Sequence, residues 1–243
     1  MIGLFKTKLS PDFFQGACDV HCHLLPGVDD GFKTVEASVE ALRLLEKHGM
    51  EKMLLTPHFM KEYAENNRES ITAKFEAFKV EAEKACKIEL RLAAEYMLDV
   101  GFRKHFKEGF LTLDKSGRHV LCETSYMMYE PDASEMLYEI MLEGYQPVIA
   151  HPERYVYASK KNYLNWKDKD YLFQLNLLSL AGAYGIEAVA KSHYMLKQGM
   201  YDFVGSDMHN VDSYRRFLHQ IKLDKKEMEQ LRRLFENNKK LFS

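Results

Sequence analysis

The chain has 243 residues, 34 of them basic and 36 acidic, for a formal net charge of −2. That near balance excludes a general electrostatic pull toward nucleic acid or an anionic membrane surface, so any selectivity for charge must be local. The length suits one α/β domain over residues 1–243, with residues 1–16 as an N-terminal arm and no stretch composed like a linker.

Lys6 and Lys8 interrupt the start, so it does not read as a signal peptide. Within the arm, Ser10-Pro11 offers a helix start, and Phe5, Leu9, Phe13 and Phe14 offer apolar contacts through which it can dock. Ala17 to His23 reads as the first strand. Side chains two apart on a strand share a face, so His21 and His23 can reach one metal ion while Cys22 turns away. The turn-rich Val28-Asp29-Asp30-Gly31 follows, in which Asp29 reads as a turn residue. A helix is expected from about Thr34, with Val35, Val39, Leu42 and Leu45 on one face and Gly49 as terminator.

The same arrangement, an apolar run ending in His, Asp or Glu, then recurs. It appears in Met53 to His58, Leu90 to Glu95, His119 to Glu123, Pro147 to His151, and Tyr201 through Asp207 to His209. Between these runs lie a helix carrying Ile71, Phe75, Phe78, Ala82 and Ala85, a short helix near Val100 to Lys107, and a helix from Pro131 to Glu143 ended by Gly144. Tyr171 to Asn176 reads as a strand, Ala183 to Gln198 as a helix, and residues from Val211 onward as closing helices with Leu231, Leu234 and Phe235 inward. The most apolar later stretch, Leu172 to Ala190, carries Gln174, Asn176, Ser179 and Glu187 and is not a membrane span. About seven strands alternating with helices imply a parallel sheet. Ligand-type residues at successive strand ends favour closing it into a barrel with its site at the carboxyl ends.

His21, His23, Asp30, His58, Glu95, Glu123, His151, Asp207 and His209 make nine nitrogen or oxygen donors. With Glu95 bridging, they suffice for two to three divalent ions with positions left open for water and substrate. Imidazole mixed with carboxylate suits manganese, iron or zinc, manganese being preferred. Such a centre keeps a small positive charge and attracts an anion. Arg154, three residues after His151, could grip phosphate, as could Arg215 or Arg216. The four cysteines form no Cys-x-x-Cys pair and suit reduced thiols in a cytoplasm. The residues six after Cys18, Cys22, Cys86 and Cys122 are Leu24, Val28, Leu92 and Met128, so none begins the Cys-x5-Arg loop of a cysteine-dependent phosphatase. Among the remaining side chains, His48 reads as a favourable charge at a helix end, and His105, His119, His193 and His219 as surface residues. Glu153 reads as a cap or a support, and Tyr126, Tyr129 and Tyr155 as walls of the cleft.

His21-Cys22-His23, Val28-Asp29-Asp30-Gly31, Thr56-Pro57-His58, Ala94-Glu95, Cys122-Glu123, Ile149-Ala150-His151-Pro152-Glu153-Arg154-Tyr155 and Ser206-Asp207-Met208-His209-Asn210 together resemble the PHP (polymerase and histidinol phosphatase) superfamily. Within it they look most like the bacterial manganese-dependent protein-tyrosine phosphatases of capsule and exopolysaccharide loci. The resemblance implies a distorted (β/α)7 barrel of the PHP type, TIM-like, with the nine positions as ligands of a trinuclear manganese centre. It places the phosphate-binding arginine at Arg154, with a second role falling on Arg215. It further implies hydrolysis of tyrosine phosphate by a metal-bridging hydroxide, on a protein substrate such as the tail of a bacterial tyrosine kinase. The same chemistry on a small ester such as histidinol phosphate is the alternative, and a non-catalytic metal-binding module is a third possibility that the full ligand set disfavours.

Overall fold

The structure, a computed structural model, describes residues 6–128 and 130–243. Phe5 and Tyr129 lie outside the described residues. The arm contributes β1 (Thr7–Lys8) and a 3₁₀ turn over Pro11–Phe14, started by the proline. Then follow β2 (Ala17–Asp19), α1 (Val35–Lys47), β3 (Met50–Leu55), β4 (His58–Phe59) and α2 (Arg68–Ala85). Thr34 caps α1 through its side chain, and Asn67 and Ser70 form a reciprocal cap on α2. Next come β5 (Glu89–Leu92), β6 (Glu95–Met97), α3 (His105–Glu108), β7 (His119–Glu123), α4 (Pro131–Leu142) and β8 (Gln146–Ala150). The chain continues through α5 (Lys160–Asp168), β9 (Leu172–Asn176), α6 (Gly185–Gln198), β10 (Phe203–Gly205), α7 (Val211–Leu218), β11 (Lys222–Leu223) and α8 (Lys225–Leu241).

The fold is α/β with parallel sheets. One has the order β10-β9-β8-β7-β6-β4 and the other β2-β3-β5, while β1 pairs antiparallel with β11. The parallel sheets meet end to end. The expected strands ending at His58 and Glu95 are each interrupted, into β3 and β4 and into β5 and β6. Pro57 has no N–H to continue the ladder. The pairing resumes across the breaks, with the Ala93 amide donating to the Leu55 carbonyl (2.9 Å) and the Glu95 amide to Pro57 (3.1 Å). β2 stops at Asp19, short of the two histidines, yet the chain beyond it is bonded on both sides. The Thr56 amide donates to Cys22 O (2.9 Å), the Asp207 amide to His21 O (2.8 Å), and the His23 amide to Met208 O (3.1 Å).

Lower down, side chains stitch β2 to β10. Asn238 of α8 is fully buried; its amide nitrogen donates to the carbonyls of Cys18 (2.7 Å) and Val204 (2.6 Å), and its oxygen accepts the Val204 amide (3.2 Å). The buried Asp19 carboxylate accepts the amides of His21 (3.1 Å) and Ser206 (3.0 Å). The arm docks as expected: Leu9 N–H bonds to Ile221 O, and Phe13 and Phe14 pack edge-on against Phe235 of α8.

Several expectations are corrected. The sequence pattern missed α5, whose buried residues are only Tyr163 and Trp166 among polar ones, too sparse a stripe to stand out. His105 is not at the surface; it is buried against Phe59 and Tyr96. His48 does end α1, but burial and nearby His219 and Lys47 push its pKa down, which works against the charge expected there.

Replacing Asn238 with alanine leaves three backbone groups unpaired in the interior. The expected loss is about 2–4 kcal/mol of unfolding free energy, read from chemical denaturation.

Candidate active site

All nine predicted donors converge at the carboxyl ends of the strands. Four groups hold ligand atoms within 4.8 Å of one another: His23, Asp30, His58 and His209; His21, His23 and Glu95; His21, His151 and Asp207; and His58, Glu95 and Glu123. Among the described residues these groups comprise the nine and no others. Glu95 is their hub. Its Oε2 stands 3.1 Å from His21 Nε2, 3.3 Å from His23 Nε2 and 3.2 Å from His58 Nδ1, and its Oε1 stands 3.0 Å from His151 Nε2. Asp30 is the outlier in exposure, its side chain 56% accessible, and it faces His58 Nε2 at 3.5 Å and His209 Nε2 at 3.3 Å.

The local fold is shaped to bring these groups together. His151, directly after β8, and Asp207, two residues beyond β10, adopt left-handed backbone at φ 31° and 49°. For residues other than glycine such geometry costs of order 1 kcal/mol or more and clusters at functional sites. Two glycines make room for the first histidines. A Cβ on Gly205 would lie 2.4 Å from His21 Cβ, and one on Gly31 would lie 2.2 Å from His23 O. Both ring orientations are fixed from behind. Gln174 Oε1 meets His21 Nδ1 at 2.9 Å and Asp29 Oδ2 meets His23 Nδ1 at 2.8 Å, leaving each Nε2 to face the centre. Asp29 is therefore no mere turn residue: its carboxylate is buried and also accepts the His58 and Gly31 amides. Asn176 donates to Asp207 Oδ2 at 2.6 Å.

Buried charges here compensate one another. Burial alone would raise Glu95 and Asp207, but the imidazoles outweigh it and hold both carboxyls well below their usual range, with His21 acting on each. Burial opposes the protonation of His21, yet Glu95 and Asp207 push its pKa up to about 9. Burial and Arg154 push His151 down to about 4. Glu123 goes the other way: burial and the neighbouring Glu95 raise its pKa well above normal. Glu95 Oε2, His58 Nδ1 and His151 Nδ1 are buried without a hydrogen bond. A carboxylate oxygen ringed by imidazole nitrogens at about hydrogen-bond distance but without hydrogen-bond geometry suits a shared cation, and the residue types fit a hard or borderline divalent ion.

Arg154 sits at the edge of this cluster, with Nη1 2.6 Å from Asp207 Oδ2. Its guanidinium lies between two tyrosine rings, 4.3 Å from the Tyr126 centroid and 4.0 Å from that of Tyr184. Tyr126 also hydrogen-bonds Glu123 through its hydroxyl. Arg154 and Tyr184 line a cleft of about 600 Å³ together with Asp30, Asp207 and His209. Arg215 is elsewhere, exposed on α7 and paired with Glu40 (3.2 Å), while Arg216 lies over Phe217. Tyr155 does not wall the cleft. It is buried beneath, donating to Ala150 O (2.9 Å) and accepting the Thr124 amide (3.3 Å). Glu153 is a support, as expected: it is buried and accepts from the Asn176 amide (3.0 Å) and the Tyr201 hydroxyl (2.9 Å). All four cysteines are buried, and burial raises every thiol, Cys18 to about 11.

Residues 17–242 match a family model described as capsular polysaccharide synthesis, CpsB/CapC. The chain belongs to the CpsB/CapC family. A CpsB/CapC relative from Streptococcus pneumoniae, the tyrosine-protein phosphatase CpsB, is 30% identical over 83% of this chain and 86% of its own. The tyrosine-protein phosphatase YwqE of Bacillus subtilis (strain 168) is 28% identical over 79% of this chain and 77% of its own. A solved structure described under YwqE from Bacillus subtilis and CpsB from Streptococcus pneumoniae, metal-dependent tyrosine phosphatases, superposes with a TM-score of 0.78. It covers 92% of this chain and 93% of that one at 24% identity, which establishes the shared CpsB/CapC fold.

Gln174, which the sequence pattern passed over, and Asp29, which it read as a turn residue, each hold a histidine ring of the cluster. Asp29→Ala and Gln174→Ala should keep the fold by circular dichroism but weaken divalent-metal binding, in calorimetric titration of metal-stripped protein, by roughly 10- to 100-fold.

Proposed function

We propose that this protein is a metal-dependent protein-tyrosine phosphatase acting in the regulation of capsular polysaccharide synthesis. The observation that carries the reading is the convergence of nine imidazole and carboxylate donors, Glu95 among them, in four overlapping groups beside an arginine seated between two tyrosine rings. His21, His23, Asp30, His58, Glu95, Glu123, His151, Asp207 and His209 would hold two to three divalent ions, with manganese as the preferred metal. Ions bound there supply positive charge for the phosphoryl oxygens and activate a water for attack. The rest falls to the chain. Arg154 offers a planar fork of donors to the phosphate, oriented by Asp207 and by the rings of Tyr126 and Tyr184, so little rearrangement is needed as charge develops. Tyr184 and Leu178 give the cleft an apolar wall suited to an aryl ester. No cysteine has the exposure or the lowered pKa that a thiolate nucleophile needs.

The backbone bonds that join residues 21–23 to residue 56 on one side and to 207–208 on the other support a closed seven-stranded (β/α)7 barrel, forming one domain. Among the described residues no helix is long and apolar enough to cross a membrane. A cytoplasmic enzyme working on the phosphorylated tail of a tyrosine kinase fits that, and the relatives named as tyrosine-protein phosphatases favour a phosphorylated protein as substrate. The histidinol phosphate alternative has no such support.

Elemental analysis of manganese-loaded protein should find two to three ions per chain. A chelator should abolish hydrolysis of a phosphotyrosine peptide, with histidinol phosphate a poor substrate throughout. Fewer than one ion per chain after loading would remove the basis of this assignment.

Arg154→Ala, with normal metal content, should lower kcat/KM roughly tenfold to a thousandfold, and Arg154→Lys should recover only part of that. Arg215→Ala removes an exposed pair with Glu40, worth at most about 1 kcal/mol of stability, and should leave steady-state rates unchanged.

A further inference from the structure

Arg154 and Tyr184 border a second cleft as well as the one described. This neighbour, of about 450 Å³, opens between the turn that follows β8 and the first turn of α6. The two clefts share these side chains as a partition. Each flank of the second cleft presents an aliphatic group to water: Val156, 54% exposed, from the segment after β8, and Ile186, 85% exposed, from the start of α6. Of the charged groups along it, Lys191 and Glu153 are engaged, while Glu187 stands exposed to water on α6. Lys191 Nζ donates to the carbonyls of Tyr155 (2.7 Å) and Val156 (3.3 Å), and the Glu153 carboxylate is buried against Asn176 and Tyr201. Isolated exposed aliphatics are ordinary on a protein surface. Two that flank one cleft, continuous with the arginine of the catalytic centre, form a receptive apolar surface.

We infer that this second cleft is a subsite for an aliphatic side chain flanking the phosphotyrosine of a protein substrate, an inference that rests on the phosphatase reading above. The spacing selects which neighbour it accepts. In an extended peptide, residues two apart project to the same side and lie ~7 Å from one another. That is about the width of a partition made of one aromatic ring stacked on a guanidinium, whose centres here are 4.0 Å apart. The subsite therefore reads the residue two positions from the phosphotyrosine, and it adds binding energy that a free phosphate ester cannot use.

The test compares manganese-loaded wild type, Ile186→Asp and Val156→Asp on three substrates. These are p-nitrophenyl phosphate, a phosphotyrosine peptide with leucine two residues to either side, and the same peptide with glycine at those positions. Ile186 is exposed in the first turn of α6, where an acid favours the helix, so folding is preserved, and unchanged turnover of p-nitrophenyl phosphate verifies it. Wild type should show a KM roughly tenfold lower for the leucine peptide than for the glycine peptide. Both variants should lose that preference through KM, with kcat unchanged. Equal KM values for the two peptides in wild type, or a preference that survives both substitutions, would overturn the subsite. Failure of wild type to hydrolyse any of the three substrates would instead overturn the phosphatase reading, and the subsite with it.

Discussion

The Glu95 carboxylate, ringed by His21, His23, His58 and His151, is the interaction on which the rest of the molecule depends. A charge buried this deeply is tolerated only where opposite charge surrounds it. Here the rings that approach it come from separate segments, His21 and His23 after β2, His58 on β4 and His151 after β8, so the centre forms only where those strand ends meet. Glu123 shows the limit of the arrangement, since a second buried carboxyl beside Glu95 is pushed toward its neutral form unless further positive charge arrives.

Holding that centre takes a second set of contacts, which point away from it. Gln174 and Asp29 fix the histidine rings, Asn176 steadies Asp207, and Glu153 ties the turn bearing Arg154 to β9 and Tyr201. Beneath them Asp19 and Asn238 supply, through side chains, the bonds that β2 and β10 do not make directly at that level. These polar layers are buried and, apart from Asp19 Oδ2, paired within the chain, so the geometry on the side facing the centre is set by packing rather than by solvent.

Much of the centre was legible in the sequence because parallel strands, buried on both faces, read as apolar runs, and a His, Asp or Glu ending such a run stands out. The supporting groups were not. Gln174 lies 153 residues from His21, so only folding pairs them. Asp29 is six residues from His23, but an Asp-Asp-Gly triplet reads equally well as a turn. His105 lacked a periodic apolar setting because its partners Phe59 and Tyr96 come from different strands. The short ladder of β1 with β11 has two residues on each side, below what alternation can reveal. Arg215 and Arg154 were alike in kind at the sequence level; what separates them is that Arg154 ends a tight turn at the cluster, while Arg215 sits on the outward face of α7.

The seam between β2 and β10 also bears on how the protein is made. Chains emerge from the ribosome in order, and contacts between distant segments must wait for the later one. His21 and His23 appear early, yet their backbone partners at 207–208, the clustered side chains of Asp207 and His209, and the Asn238 stitch come near the end of translation. A nascent chain thus carries a pair of exposed histidines long before it has a complete centre. The cluster of nine donors is therefore completed only late in biosynthesis, once the chain has closed upon itself.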